Sequence, residues 1–175
     1  MMESFDLYTE ERIFTGKSMV RRSGPIPEGC YRLVVHTCIF NPEGKMLIQQ
    51  RQPFKRGWSG LWDLTVGGAV TAGETSAQAV VRELQEELGL TWDLQGEPPA
   101  LSLTFDHGFD DIYLLRGEVD ISMLQLQYEE VAQAKWATQE EVHRMLANDT
   151  FVPYHRSLID LLFDMRERTD GLRTP

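Results

Sequence analysis

The chain has 175 residues, 42% of them apolar and 25% charged, a globular balance for one domain of ordinary size that excludes wholesale disorder. Seventeen Lys and Arg against 27 Asp and Glu leave a net charge of -10, so the chain lacks the basic footprint of a nucleic-acid binder, and anionic membrane surfaces should repel it. Cys30 and Cys38 build neither a disulfide framework nor a zinc site, no apolar run approaches the roughly 18 residues of a membrane span, and the N-terminus reads as free of a secretion signal, so the expectation is a soluble protein of the reducing cytoplasm.

In chain order, Phe5–Tyr8 and Arg12–Thr15 are expected to form a small hairpin, followed by a rigid loop over Ser23–Gly29. Tyr31–Phe40 is rich in β-branched residues and reads as a strand. Asn41-Pro42-Glu43-Gly44 has turn chemistry, and Met46–Arg51 returns as a second strand. Gln52–Gly60 is a loop and Leu61–Val66 a short strand. Thr75–Leu88 is a helix, with a capping box from Thr75 and Gln78 and a stop at Gly89. Strands are expected over Leu101–Phe105, Asp111–Arg116 and Ala134–Ala137. Thr138 with Glu141 caps a helix through Leu146, and Pro153–Arg168 is the last helix. This irregular interleaving favours a mixed sheet between helices, an α/β (α+β) fold, over a doubly wound parallel one.

The chemistry concentrates in residues 68–90, GAVTAGETSAQAVVRELQEELGL. Glu83, Glu86 and Glu87 sit at helical offsets of three and four and share an arc of about 100°. Ala77, Val80, Val81, Leu84 and Leu88 occupy a separate arc, expected to face the core. Three carboxylates side by side repel one another and raise each other's pKa, and hard divalent cations such as Mg²⁺ or Mn²⁺ relieve that. The plain alternative is a solvated acidic face. Against it, the acids lie late in the helix, where the macrodipole disfavours them. A glycine-rich stretch, Val66-Gly67-Gly68-Ala69, precedes the helix, and Arg82 stands four residues before Glu86, where it can hold that carboxylate.

Gly68, Glu74, Arg82, Glu83, Leu84, Glu86, Glu87, Gly89 and Leu90 resemble the Nudix box at every defined position. More loosely, the likeness extends through the strands up to Arg51, Trp62–Gly68, Glu130-Val131 and Trp136. It implies a single Nudix domain over residues 1–175, an α/β/α sandwich around a mixed sheet, with residues 1–30 as an N-terminal hairpin and loop extension. It implies hydrolysis of a diphosphate linkage, usually in a nucleoside diphosphate derivative or a related small phosphorylated metabolite. By position, Glu83, Glu86 and Glu87 would bind Mg²⁺, or Mn²⁺ in its place, together with the carbonyl of Gly67. Gly68, Glu74, Arg82 and Gly89 would brace the loop and helix, Arg82 next to the catalytic Glu83 and Glu86. The general base is Glu83 or Glu86, or a later acid among Asp110, Asp111, Glu129 and Glu130.

The flanks resemble isopentenyl-diphosphate isomerase and its hydrolase-like relatives, through Gln50-Arg51, Lys55, Trp58 and Leu61-Trp62. That isomerase has a cysteine just before the box glycine and a metal-binding histidine just after it. Here those places hold Gly67 and Ala69, which move no proton at carbon. The post-box proline of ADP-ribose hydrolases and the tyrosine of dinucleoside polyphosphate hydrolases are not in Leu103–His107. The Phe-Pro of coenzyme A hydrolases is missing as well, so the sequence leaves the substrate open.

Arg51 and Lys55 are candidates for phosphate contact. Trp58 and Trp62 have the right surface to stack on a base, but packing is the simpler expectation for both. His36 either lines a cleft or packs. His107, His143 and His155 have no ligand spacing, and the two cysteines read as small packing residues. A nucleotide-sensing Nudix module without turnover is the alternative from another class, but none of the box acids is lost. Residues 1–30 are also a candidate surface for pairing with a second copy, giving a homodimer.

Overall fold

The strand expected over Tyr31–Phe40 is the axis of the fold. In the computed structural model, which describes residues 3–167, it is β3 (Arg32–Phe40), and both of its faces are covered. Leu33, Val35 and Ile39 pack on one side with Val80, Leu84 and Leu88. Cys38 and Phe40 pack on the other with Val142, Ile159, Leu162 and Phe163. Burial on both faces is what the mostly apolar run encodes.

β3 runs parallel to β8 (Gly108–Arg116), which turns back on β7 (Leu101–Phe105) as an antiparallel hairpin. On its other edge β3 pairs antiparallel with β6 (Val66–Ala69) over Val34–Thr37, and with β4 (Met46–Arg51) only at Ile39 and Phe40. β4 in turn carries β5 (Trp62–Asp63) and β9 (Val131–Ala137). This seven-stranded mixed sheet lies between α1 (Ser76–Leu88) on one face and α2 (Gln139–Ala147) with α3 (Arg156–Asp164) on the other. The expected α/β/α sandwich is present.

The single strand expected over Leu61–Val66 is two strands, because β3 and β4 splay apart. The chain leaves the edge of β4 at Asp63 and joins the edge of β3 at Val66. Between them the buried Thr65 hydroxyl accepts from the Ile39 amide at 3.0 Å and donates to the Leu47 carbonyl, stapling the fork. The last helix is also shorter than expected. Pro153, Tyr154 and His155 lie outside it, and Arg168 lies outside the described residues.

The N-terminal hairpin is present and longer than expected, as β1 (Ser4–Tyr8) and β2 (Phe14–Val20). It forms a separate two-stranded sheet attached through a Tyr8–Tyr31 pairing. It also touches the loop before α1. The Ala72 amide donates to the Ser4 carbonyl at 2.9 Å, and the Gly73 amide to Asp6 Oδ2 at 2.8 Å.

α1 begins and ends as its sequence dictates. Thr75 and Gln78 close a reciprocal capping box, and Gly89 takes the left-handed conformation at φ +69°. Its buried arc differs from the expectation. Ala79, Val80, Leu84, Glu87 and Leu88 are buried, while Ala77 and Val81 are only half-buried. Glycine at position 68 explains the rotation. A Cβ there would lie 2.0 Å from Glu83 Oε1, so the bare backbone lets the Glu83 side of the helix settle on β6.

Because the two cores lie on opposite faces of one sheet, each should be needed for stability. Leu84→Ala and Ile159→Ala are expected to cost about 2–5 kcal/mol each in urea unfolding. Leu161→Ala, on the exposed side of α3, should change stability by no more than about 0.5 kcal/mol.

Candidate active site

Arg82 organises the box. Its guanidinium donates to Glu74 from Nε at 2.9 Å and from Nη2 at 3.1 Å, and to the Ala69 carbonyl at 3.0 Å. Nη1 reaches Glu83 at 2.8 Å and Glu86 at 3.2 Å. The contact expected four residues along the helix therefore exists, as one of several. Glu74 also accepts from the Thr71 amide at 3.0 Å. Burial works against its ionised form, but the Arg82 and Thr71 hydrogen bonds outweigh this and hold its pKa below the usual range.

The three box acids sit in different environments. Glu86 is half exposed. Glu83 lies against Gly68 with its side chain 12% exposed, and burial raises its pKa despite Arg82. Glu87 is 5% exposed, and its Oε2 has no hydrogen-bond partner among the described residues. Burial, then the charges of Glu83 and Glu130, push its pKa well above the ordinary value, with Arg51 pulling the other way. A buried carboxylate oxygen without a partner is costly unless something else neutralises it. Among the described residues, no three acidic, histidine or cysteine side chains converge on one point as they stand, and Glu83 and Glu86 are both turned toward Arg82. Side-chain rotation alone would change that, since the residues sit on neighbouring turns. The all-oxygen donor set fits a hard divalent cation.

Two loops rim these acids. The segment after the short helical turn Ile121–Met123 closes over the end of α1, its Gln125 and Gln127 amides capping the Leu88 and Glu87 carbonyls at 3.0 and 2.9 Å. The loop over residues 52–60 faces it. Lys55 pairs with Glu130, the Gln52 amide donates to the Glu130 carbonyl at 3.0 Å, and Phe54 lies 5.7 Å from Tyr128, ring to ring.

Arg51 enters from β4. It donates to Asp63 at 3.3 Å and to the Gly57 carbonyl at 3.1 Å. Trp58, expected to pack, is instead 54% exposed at φ +50°. Trp62 does pack, with the Lys135 ammonium 4.9 Å above its ring.

Behind Gly67 lies a polar cluster that the sequence did not delineate. His36 lines a cleft, with Nδ1 2.9 Å from both oxygens of Asp110 and Nε2 3.3 Å from the Tyr154 hydroxyl. Tyr154 donates to Asp63 at 2.8 Å. Its single proton is thereby used, so it can only accept from His36, which then carries protons on both nitrogens. Burial lowers the His36 pKa, but Asp110 and Asp63 more than reverse this. The sequence singles out His36 and Asp110 separately, but gives no signal that they meet each other, Asp63 and Tyr154.

Three of the four later acids are engaged. Asp110 faces His36, Glu130 faces Lys55, and Asp111, 2% exposed, receives a two-pronged fork from Arg12 at 3.0 and 2.9 Å. Glu129 is exposed. Cys38 is buried and its thiol pKa pushed up, first by burial and then by Asp110 and Asp63, while Cys30 is half-buried.

A family profile described as "NUDIX domain" matches residues 31–162. An uncharacterized Nudix hydrolase of Listeria monocytogenes, lmo0368, is 44% identical over 168 residues, covering 96% of this chain and 98% of that protein. An isopentenyl-diphosphate delta-isomerase of Salmonella arizonae is 31% identical over 114 residues, 61% of each chain. Among solved structures, DR0079 from Deinococcus radiodurans superposes with a TM-score of 0.71 at 25% identity, covering 91% of this chain and 97% of that one.

The raised Glu87 pKa has a signed consequence for stability. Above the ordinary carboxylate range the unfolded chain has released a proton that folded Glu87 retains, so metal-free stability falls as pH rises through the raised value. Glu87→Gln removes that loss. In EDTA at pH 8 its Tm should exceed wild type by about 2–4 °C, the shift expected for roughly 1 kcal/mol at this size. Near pH 4 the difference should vanish, and adding Mg²⁺ should stabilise the variant less than wild type. Equal melting at both pH values would refute the assignment.

Proposed function

The chain belongs to the Nudix hydrolase family, a family of pyrophosphate-type hydrolases that use divalent metal ions, and from that membership we propose that it cleaves a diphosphate linkage in a nucleoside diphosphate derivative with Mg²⁺ as cofactor. Mn²⁺ serves as a substitute. The observation that carries the reading is the buried, unpartnered Glu87 Oε2 beside Glu83. Glu83, Glu86 and Glu87, with the Gly67 carbonyl, hold the cation. When bound, it supplies Lewis-acid charge for the phosphate oxygens and the attacking water.

The remaining work falls to the chain's own groups. Glu86 accepts the proton of the attacking water. It is the most exposed of the three acids, and Arg82 fixes its position. Glu83 is the second candidate for this role. Asp110, Asp111 and Glu130 are each paired with a cation outside the box, as Glu83 and Glu86 are with Arg82, so place in the box rather than pairing selects the base. Glu74 and Arg82 hold the loop against the helix, so that water and phosphorus meet in one geometry. Arg51 and Lys55 contact the phosphates, as fork and point charge. Isomerisation is disfavoured, because Gly67 offers no thiol and the buried Cys38 holds its proton tightly.

Glu86→Gln keeps size and hydrogen bonding but removes the base. Its kcat, measured as phosphate release across a panel of nucleoside diphosphate derivatives, should fall by roughly 10²–10⁴-fold with the fold intact. Arg51→Ala removes a contact made in both ground and transition states, so KM should rise more than kcat falls. Near wild-type turnover by Glu86→Gln would shift the base to Glu83.

A further inference from the structure

Where β3 and β4 part, each strand carries a buried polar side chain whose oxygen has nothing to bond to. The last pair before the fork is Ile39 with Leu47. One step further along each strand, on the same face, stand Thr37 and Gln49. Their cross-strand neighbours fix that face. Thr37 is in register with Val66 and Tyr113, and Gln49 with Ala134, and all three of these neighbours pack in the core beneath α1. Thr65, set into the fork, offers them nothing, because its hydroxyl is committed to Ile39 and Leu47.

Three buried side-chain oxygens have no hydrogen-bond partner among the described residues: Thr37 Oγ1, Gln49 Oε1 and Glu87 Oε2. All three residues are at most 5% exposed, and all three belong to the layer between the sheet and α1. Gln49 lies between Leu47, which packs with Leu84 and Leu88, and Arg51, whose charge acts on Glu87. The amide therefore stands beneath the turn of α1 that carries Glu87. The two groups are not bonded to each other, so Gln49 is not simply the acceptor for a protonated Glu87. A single buried oxygen without a partner is a local defect, disfavoured by the loss of its water. Three of them on one side of a sheet fork, under the box helix, have a common explanation.

From this juxtaposition we propose that Gln49 and Thr37 are positioning residues of the metal centre, their oxygens accepting hydrogen bonds from water that the cation holds beside Glu87. The inference rests on the diphosphate hydrolase reading and adds to it two residues from outside the box. Mg²⁺ gives up its waters reluctantly and keeps several of them in a protein site. Groups that hold such ligands in place control metal affinity along with the ligands themselves. Neutral oxygens suit this position. The charges of Glu83, Glu130 and Asp63 already bear on Glu87, and a further carboxylate would add to the repulsion. An amide and a hydroxyl receive water hydrogens without adding charge.

The test is a Mn²⁺ titration, followed by the EPR signal of the free ion, of wild type, Gln49→Met, Thr37→Val and Thr37→Ser, with melting in EDTA alongside. Gln49→Met keeps the length of the side chain and removes its oxygen, so its Kd for Mn²⁺ should rise roughly 10- to 100-fold. Thr37→Val keeps the shape and removes the hydroxyl. It should weaken binding in the same direction, and Thr37→Ser should restore it. In EDTA neither Gln49→Met nor Thr37→Val should melt below wild type, because neither oxygen has a partner to lose. An affinity unchanged in both Gln49→Met and Thr37→Val overturns the proposal. So does weakened binding that Thr37→Ser leaves unrestored, or that merely follows a fall in metal-free melting temperature. Should Gln49→Met not fold, the two Thr37 variants decide by the same criteria. The parent reading fails separately, if wild type binds Mn²⁺ through these residues yet hydrolyses no diphosphate with any divalent cation. Hydrolysis by wild type, with Mn²⁺ affinity indifferent to Gln49 and Thr37, leaves that reading standing and removes this one.

Discussion

One guanidinium holds together parts of the chain that nothing else joins so directly. Arg82 collects the carboxylate of Glu74 from the loop, the carbonyl of Ala69 from the strand, and Glu83 and Glu86 from its own helix. With several acceptors around one delocalised cation, its pKa is raised despite partial burial. The planar fork matters here as much as the charge. Lysine has a point charge and no fixed directions, so it would satisfy one or two of these partners and release the others. Glu83 can lie on β6 only because position 68 has no side chain and because Arg82 draws its carboxylate there. The glycine and the arginine of the box thus serve a single contact between helix and strand.

The sheet makes the complementary provision. By splaying from β3, β4 leaves a fork into which the 61–69 segment is set, first on one edge and then on the other. Thr65 closes the fork with a hydrogen bond in each direction. The segment delivers Asp63 toward Arg51 and Tyr154, and Gly67 toward His36. Buried charge is distributed unevenly across this region. His36, Asp110, Asp63 and Arg51 compensate one another, whereas Glu87 is left with an oxygen that no group among the described residues satisfies. Such a group works against the metal-free fold, and it is tolerable where a ligand supplies what is missing.

Much of this was legible in the sequence, for reasons that can be traced. The box acids, the capping boxes at Thr75 and Thr138 and the stop at Gly89 depend on residues within a few positions of one another, so local spacing reveals them. The two-sided burial of β3 follows from its composition. What stayed hidden depends on distant partners. Tyr154 meets Asp63 across 91 residues, His36 meets Asp110 across 74, and Arg12 meets Asp111 across 99. No periodicity records such meetings. The break at Leu64-Thr65 has no local signal, because it arises from the divergence of two other strands. The core arc of α1 departs from its sequence pattern, because its rotation depends on a glycine in another element. The exposure of Trp58 is equally hidden, because composition does not reveal a left-handed backbone.

The hairpin over residues 4–20 changes what should count as the unit of folding. The family profile begins at residue 31, which would make everything before it an appendage, although the Listeria monocytogenes relative matches 96% of the chain. Yet Arg12 supplies the only described salt-bridge partner of Asp111, a carboxylate 2% exposed within the central layer. Ser4 and Asp6 fasten the loop that carries Glu74 toward Arg82. A chain cut at that boundary would keep every box residue and lose the guanidinium that faces Asp111. The family profile and the physical module here have different edges, and the hairpin over residues 4–20 belongs to the second.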